Sequence, residues 1–348
     1  MVSELMKYGG IAAKMAALRA KQLNNGDYEQ LLSKGSVSEF ASYLKNNTSY
    51  SDIFQNINEK SLHRAEIEEL LNIHFENLVK KVYVFLNGEN RKFLEIIFLR
   101  QEIELLKDVL RKLNAGKSIG EYVGTGFFAK HFSIDPVKAF DVANKSELIE
   151  AVRGTKYEQL ISKNISTKDN ENNTFTMEMT LDMHYFISAW KMKDKVLGKT
   201  DRKLVTYMLG SEIDCLNIMW IYRCKRYYSM PKEYIYTNLI PIRYKLKKSD
   251  ITEMVESEKL ADMVERAANT GYKSLFVDLD KRFIEQNFAI YMFELYKGIM
   301  KKEPYSVAAV MAQLYFAEAE IKSITVAVEC IRYGLPLEKS KELVRINK

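Results

Sequence analysis

Apolar residues recur along this chain at helical spacing, and three of the clearest stretches begin on the same dipeptide, Glu-Ile. Ile103, Leu106, Leu110 and Leu113 share one helical face, as do Ile213, Leu216, Met219 and Trp220, and again Ile321, Ile324, Val328 and Ile331. Only five prolines and fifteen glycines interrupt the chain, so long helices are permitted nearly everywhere. The pattern predicts an all-α fold. Ser36-x-x-Glu39 and Asp250-x-x-Glu253 read as capping boxes that open helices. The stretch Asn164 to Asn173 reads as a polar loop.

The Glu-Ile helices belong to a larger repeat. A Thr-x-Tyr motif with an apolar residue three positions later occurs as Thr48-Ser49-Tyr50 with Ile53, Thr155-Lys156-Tyr157 with Leu160, and Thr270-Gly271-Tyr272 with Leu275. Glu-Ile-x-x-Leu/Ile follows each time, at Glu102, Glu212 and Glu320. A third echo lies between them: Leu71-Asn72-x-x-Phe75, Leu181-Asp182-x-x-Tyr185 and Leu279-Asp280-x-x-Phe283. The tyrosines are 107 and 115 residues apart and the glutamates 110 and 108. Ordered motifs at matched spacing predict three homologous helical units, each of the usual domain size of about 100–150 residues. We place them at residues 1–130 (with an N-terminal helix), 131–238 and 239–348, with breaks near Pro136 and from Pro231 to Pro241.

Each repeat glutamate borders its apolar stripe. Glu102, Leu106, Val109 and Leu113 follow one another at i, i+4, i+7 and i+11. A carboxylate at a core edge needs a hydrogen bond or an ion pair, because burying it bare costs several kcal/mol. Two readings follow for Glu102, Glu212 and Glu320. They are structural hydrogen-bonding groups between helices, or they are three equivalent carboxylates that line a pseudo-threefold axis and meet a partner.

Composition narrows the function. With 348 residues, 47% of them hydrophobic, the chain exceeds what a single core usually serves. A net charge of +6, with charges interspersed, speaks against both a disordered tail and a strongly basic nucleic-acid binder. Cys215, Cys224 and Cys330 offer neither a disulfide framework nor a paired metal spacing. The charged N-terminal stretch does not resemble a signal peptide, and no run approaches the roughly 18 apolar residues of a membrane span. The expectation is a soluble, cytoplasmic protein, with peripheral membrane attachment left open.

Candidate chemistry is sparse. Ala115-Gly116-Lys117-Ser118 has the tail of a phosphate-binding loop, but position 111, where that loop needs glycine, is Arg, and an apolar helix precedes it. A helix stop at Gly116 is the better reading. His63, His74, His131 and His184 show no metal-ligand spacing. No nucleophile elbow appears, and no catalytic, cofactor-binding or metal site is expected. The cluster from Arg223 to Tyr228 could bind single-stranded nucleic acid; a helix end leading into a protein interface is the simpler reading. Partners are therefore expected to be proteins, with neither nucleic acid nor small-molecule substrate.

Several segments together resemble a known family. They are Tyr8-Gly-Gly-Ile-Ala-Ala-Lys-Met-Ala-Ala-Leu18, Leu99-Arg-Gln-Glu-Ile-Glu-Leu-Leu-Lys107, Gly210-Ser-Glu-Ile-Asp-Cys-Leu-Asn217, Tyr315-Phe-Ala-Glu-Ala-Glu-Ile-Lys-Ser-Ile324 and Ile331-Arg-Tyr-Gly-Leu-Pro336. Over essentially its whole length the chain is similar to the C subunits of V/A-type ATPases, known as the d subunits in eukaryotic V-ATPases. The resemblance implies three similar helical domains arranged as a pseudo-threefold funnel. It implies a non-catalytic component on the cytoplasmic face of the membrane that receives the central stalk and sits on the membrane rotor ring. Torque passing through it would couple ATP chemistry elsewhere to H+ or Na+ transport. The runner-up is a helical-repeat scaffold for another partner, although solenoid repeats usually run about 20–50 residues.

Overall fold

A computed structural model describes residues 2–55, 57–58, 62–117, 119–165, 171–279 and 283–344. The protein is 75% helical, and no strand occurs among the described residues. Helix α1 (Val2–Arg19) leads into an element order that runs three times. In each pass two short helices precede a Thr-x-Tyr segment, and two longer helices follow. The first pass has α2 (Asn25–Leu32), α3 (Val37–Asn47), a 3-10 turn (Ser49–Phe54) and α4 (Arg64–Phe85). The short α5 (Gly88–Leu94) then leads to α6 (Ile96–Asn114). The second has α7 (Pro136–Phe140), α8 (Lys145–Ala151), α9 (Glu158–Ile165), α10 (Glu171–Val196) and α11 (Lys199–Arg226). After α12 (Lys232–Asn238), the third has α13 (Lys248–Glu256), α14 (Leu260–Ala268), a 3-10 turn (Lys273–Phe276), α15 (Ile284–Lys302) and α16 (Val307–Arg332). Helix α17 (Leu337–Leu343) follows.

Side-chain caps set the short helices. Asn24 accepts from the Gly26 and Asp27 N–H groups at the start of α2 while Asp27 accepts from the Asn24 N–H, a complete capping box. Ser36 caps α3 by accepting the Glu39 N–H, but the predicted box does not close, because the Glu39 carboxylate accepts from the Gly35 N–H and not from Ser36. At α7, Asp135 is the cap and Pro136 the first helical residue, where a missing N–H costs nothing. The other predicted box is shifted. Helix α13 starts at Lys248, so Asp250 is its third residue and accepts from the Lys247 N–H (2.7 Å) instead of standing before the helix. The polar loop expected from Asn164 to Asn173 is also shorter than expected. Helix α9 runs to Ile165 and α10 begins at Glu171; the stretch contains neither Gly nor Pro, so polarity alone does not stop a helix. Residues 166–170 lie outside the described residues.

Gly116 does stop α6. Its φ is +60°, its N–H donates to the Leu113 carbonyl and the Lys117 N–H to the Lys112 carbonyl, the pair of bonds that closes a Schellman motif. Ser118 lies outside the described residues. Gly334, at φ +61°, closes α16 by the same pair of bonds.

Packing divides the chain into two compact units. One comprises Met1–Asn87, Val123–Lys130 and Glu303–Lys348. Its centre is α16, which packs on α1, α2, α3, α4 and α17. Tyr8, Ile11 and Met15 of α1 and Ile67, Leu71 and Val79 of α4 are buried in it. The other comprises Gly88–Tyr122 and His131–Lys302. Helices α10 and α11 organise it: α10 packs on α5, α6, α9, α11 and α12, and α11 on α12, α13, α14 and α15. Seventeen residues of α11 are buried, from Asp201 to Cys224, on nearly every side of the helix, as a central helix requires.

Candidate functional site

The repeated landmarks meet in space as three tyrosine–carboxylate clamps. The Thr-x-Tyr motif builds its half locally. The Thr48, Thr155 and Thr270 hydroxyls donate to the Leu44, Val152 and Ala267 carbonyls, each at 2.6 Å. The same oxygens accept the N–H of Tyr50, Tyr157 and Tyr272, each at 3.2 Å. Threonine thus ends a short helix and aims the tyrosine two residues on inward. The three tyrosines are among the most deeply buried side chains in the protein.

Each hydroxyl donates to a carboxylate on a long helix. Tyr157 donates to Glu102 on α6 (2.6 Å), Tyr272 to Asp214 on α11 (2.8 Å) and Tyr50 to Glu320 on α16 (2.7 Å). Tyr157 and Tyr272 each meet an acid on the preceding long helix bearing a repeat motif, and Tyr50, the first, closes the cycle with the last such helix. Burial, and then the adjacent carboxylate charge, push all three phenols above their ordinary value. They stay neutral donors. A further ring rests against each: His74 on Tyr50 (4.6 Å between centroids), His184 on Tyr157 (5.8 Å) and Tyr291 on Tyr272 (5.7 Å).

The carboxylates also collect backbone N–H groups just ahead of a helix cap. Glu320 accepts from Leu23 (2.9 Å), the residue before the α2 cap. Glu102 accepts from the N–H groups of Ser133 and Ile134, before the α7 cap, and from the Ser133 hydroxyl (2.8 Å), with Lys156 Nζ at 3.0 Å. Asp214 accepts from Tyr244 (3.0 Å), Lys245 (2.6 Å) and Leu246 (3.0 Å), before the α13 cap. One buried acid thus ties together a long helix, the entry loop of a short helix and a tyrosine.

Glu102 and Glu320 occupy two clamps; Glu212 does not occupy the third. It lies near Arg100 (3.8 Å) on α6 and receives the Tyr296 hydroxyl (3.4 Å) from α15, while Asp214, two residues on, takes the tyrosine. Gly210 shows why. A Cβ there would lie 2.5 Å from the Tyr244 ring, so the bare helix admits the loop close to α11. One turn later the short Asp214 side chain reaches three of its N–H groups. The clue in the sequence is Gly210 four residues before an acid.

Other contacts went unsignalled. Glu76 of α4, 2% exposed, accepts the Thr125 and Phe128 N–H groups at 2.6 and 2.7 Å. Asn217 exchanges two hydrogen bonds with Ile240. Lys107 and Arg111 of α6 pair with Asp182 and Glu178 of α10, both at 2.6 Å. The third interior echo breaks down: Leu71 and Leu181 sit in helices, whereas Leu279 lies in the turn before α15 and Asp280 outside the described residues. At the end of α11, Tyr228 stacks on Phe175 (4.6 Å) and Arg223 covers the same ring (4.5 Å). Both are thereby engaged within the chain.

A surface depression of about 360 Å³ is lined by Lys34, Glu39, Ser42, Tyr43, Asn46 and Asn47. Its polar groups serve local structure: Glu39 accepts from the Gly35 N–H, and Lys34 rests over the Tyr43 ring. Among the described residues no cluster of three or more His, Cys, Asp or Glu side chains is placed to hold a metal ion. None of their helices is long and apolar enough to cross a membrane. The clamps position backbone; they place no nucleophile beside a base.

Comparison with known proteins gives one consistent answer. A family model described as "ATP synthase (C/AC39) subunit" matches residues 11–343. The curated proteins this chain is similar to include the following three, each named as the C subunit of an A-type ATP synthase. That of Methanocaldococcus jannaschii is 19% identical over 99% of this chain and 88% of its own length. The Methanosphaera stadtmanae protein is 22% identical over 98% and 89%, and the Thermococcus kodakarensis protein 23% over 95% and 88%.

Proposed function

Because the chain belongs to the ATP synthase (C/AC39) subunit family of the V/A-type ATPases, we propose that it is the non-catalytic adaptor between the central stalk and the membrane rotor ring. In this reading it sits on the cytoplasmic face of the membrane, holds the membrane through the ring, and passes torque in either direction. ATP-coupled H+ or Na+ movement is the task of the whole machine. The carrying observation is the family match across residues 11–343, joined to an all-helical chain whose described helices include none fit to span a bilayer.

The proposal includes the three-unit funnel, with units at 1–130, 131–238 and 239–348. Three clamps of one chemistry support it. Glu102 and Glu320 serve it as internal supports, and Glu212 through its contacts with Arg100 and Tyr296. A torque adaptor must not shear, and buried charge-assisted bonds between helices and loops stiffen a fold in the required way. Co-purification tests the proposal. Tagged chain mixed with detergent-solubilised ring and soluble stalk proteins should bridge the two; failure to retain either one refutes it.

A further inference from the structure

The three clamped loops carry different charges. The loop held by Glu320 reads Gln22-Leu-Asn-Asn-Gly26, and the one held by Glu102 reads Phe132-Ser-Ile-Asp-Pro136. The loop held by Asp214 reads Arg243-Tyr-Lys-Leu-Lys-Lys248, four cations in six residues and no acid. All four basic residues are exposed, and among the described residues none of them forms an ion pair. Lys203 extends the patch: with Tyr207, Gly210 and Asp214 it falls on one face of α11, at i, i+4, i+7 and i+11, and it too is exposed and without an ion pair.

The backbone of this basic loop is anchored along its length. Asp214 holds three successive N–H groups, Asn217 holds Ile240 at the loop's start, and Asp250 takes the Lys247 N–H at its end. Tyr244 lies against Gly210 and meets Tyr207 at 6.3 Å between centroids, with Lys245 Nζ 5.5 and 5.7 Å from the two rings. Here the cations are displayed on a fixed backbone, and desolvating none of them against an internal acid leaves their charge for a partner.

We infer that the Arg243–Lys248 loop, with Lys203, is a docking surface for an acidic helix of another protein. A fixed array of cations suits a partner with carboxylates at fixed spacing, since pre-organisation lowers the entropic cost of binding. An anionic lipid surface is a poorer match, because the loop offers no exposed Trp, Phe or Leu to insert. Nucleic acid is poorer too, as the loop offers one aromatic ring, Tyr244, already in contact with Tyr207 and Lys245, and no succession of rings for bases to stack on. The inference rests on this chain's own loop and stands whether or not the adaptor reading holds.

The test uses the full chain and a fluorescent Ala-rich helical peptide with Glu residues at i, i+4 spacing, with its Gln counterpart as control. Binding should be salt-sensitive and specific to the Glu peptide. The variant Arg243→Gln/Lys245→Gln/Lys247→Gln/Lys248→Gln should weaken it about tenfold, four exposed charges each contributing a few tenths of a kcal/mol. Neutralising Lys80, Lys138, Lys301 and Lys302 removes the same net charge and should weaken it less than about twofold, if the loop and not the overall charge attracts the peptide. Melting should not change, because Asp214 grips backbone; if the quadruple variant melts early, Lys247→Gln/Lys248→Gln alone should still weaken binding. Equal losses in loop and control variants overturn the inference. So does loop-dependent binding to vesicles rich in anionic phospholipid, or to single-stranded oligonucleotide, that exceeds binding to the peptide.

Discussion

The clamps at Asp214 and Glu320 use one chemistry under opposite conditions. Asp214 gathers three N–H groups and a hydroxyl, with the N–H donors 30 to 32 residues away. Glu320 has one N–H from Leu23, 297 residues away, and the Tyr50 hydroxyl 270 residues away. The first is a locally closed site with four donors on one carboxyl group. The second joins the two ends of the chain with fewer donors, and burial pushes its carboxyl up from 4.5 to about 7, Asp27 adding to the rise and Tyr50 and Leu23 holding it back. A repeated motif therefore does not imply repeated energetics; the number of donors that reach the acid sets how firmly each clamp holds.

The sharpest way to break that comparison is to remove the acids. Asp214→Ala leaves four donors without an acceptor, two of them buried and two part-buried, and we expect a loss of about 3–5 kcal/mol in urea unfolding. Glu320→Ala strands two donors and should cost about 2–3 kcal/mol. An equal or reversed order would show that donor count does not rank the clamps. Next in size is Gly210→Ala. Alanine favours a helix by about 1 kcal/mol over glycine, yet its Cβ would strike the Tyr244 ring. Overpacking costs about 1–3 kcal/mol, and the loop donors of Asp214 move with the ring. We expect a net loss of about 2 kcal/mol; a stabilised variant would remove close approach as the reason for this glycine.

The tyrosine of every clamp and the acid of two, Glu102 and Glu320, were readable in the sequence, and the third acid and the pairings were not, for physical reasons. Thr-x-Tyr is a local device, a hydroxyl bonding backbone two and three or four residues away, so its residues must be adjacent and the motif survives as a string. The carboxylate is positioned by tertiary contact, and tertiary contact can be met from a neighbouring position. On α11 it was, once Gly210 let the loop approach and an Asp at 214 could replace a Glu at 212. The pairing of Tyr50 with Glu320 was equally hidden, since spacing along the chain suggests neighbours and the last long helix, α16, packs in the same unit as the N-terminal helices. Helical class and the Gly116 stop followed from periodicity and αL geometry. Lys248 as the true start of α13 did not, because an Asp opens a helix either from the cap, accepting N–H groups of the first turn, or from the third position, accepting the cap's own N–H as Asp250 does.

A pH series sharpens the comparison further. A carboxyl raised in the fold binds its proton more tightly there than in the unfolded chain, so its contribution falls as pH climbs from 4.5 to about 7 and then levels off. Glu320→Gln carries no such charge. It should therefore gain on the parent protein across that window, by about 2 kcal/mol in midpoint-derived stability between pH 5 and 8. His74, beside Tyr50, slopes the other way. Burial, with Lys81, lowers it from 6.5 to about 4, so stability is lost as pH falls through that range and His74→Phe should gain on the parent below pH 6.5. Parallel curves for the parent and Glu320→Gln would mean that the acid does not titrate there.

The smallest effects come from the tyrosine hydroxyls, and their order is the finest test. Tyr→Phe keeps the ring and removes one donor, worth about 1–2 kcal/mol to a carboxylate. After Tyr157→Phe, Glu102 still holds two N–H groups, the Ser133 hydroxyl and Lys156. Asp214 keeps three N–H groups after Tyr272→Phe, but no cation within its clamp. With Tyr50→Phe, Glu320 keeps the single Leu23 N–H, so the cost should be largest there and should grow from pH 5 to 8 as the acid ionises. Unfolding midpoints should thus fall in the order Tyr157→Phe, Tyr272→Phe, Tyr50→Phe, from least to most affected. If Tyr157→Phe proves the most damaging, the hydroxyl matters for ring placement and not for charge, and donor count loses its claim as the measure of a clamp.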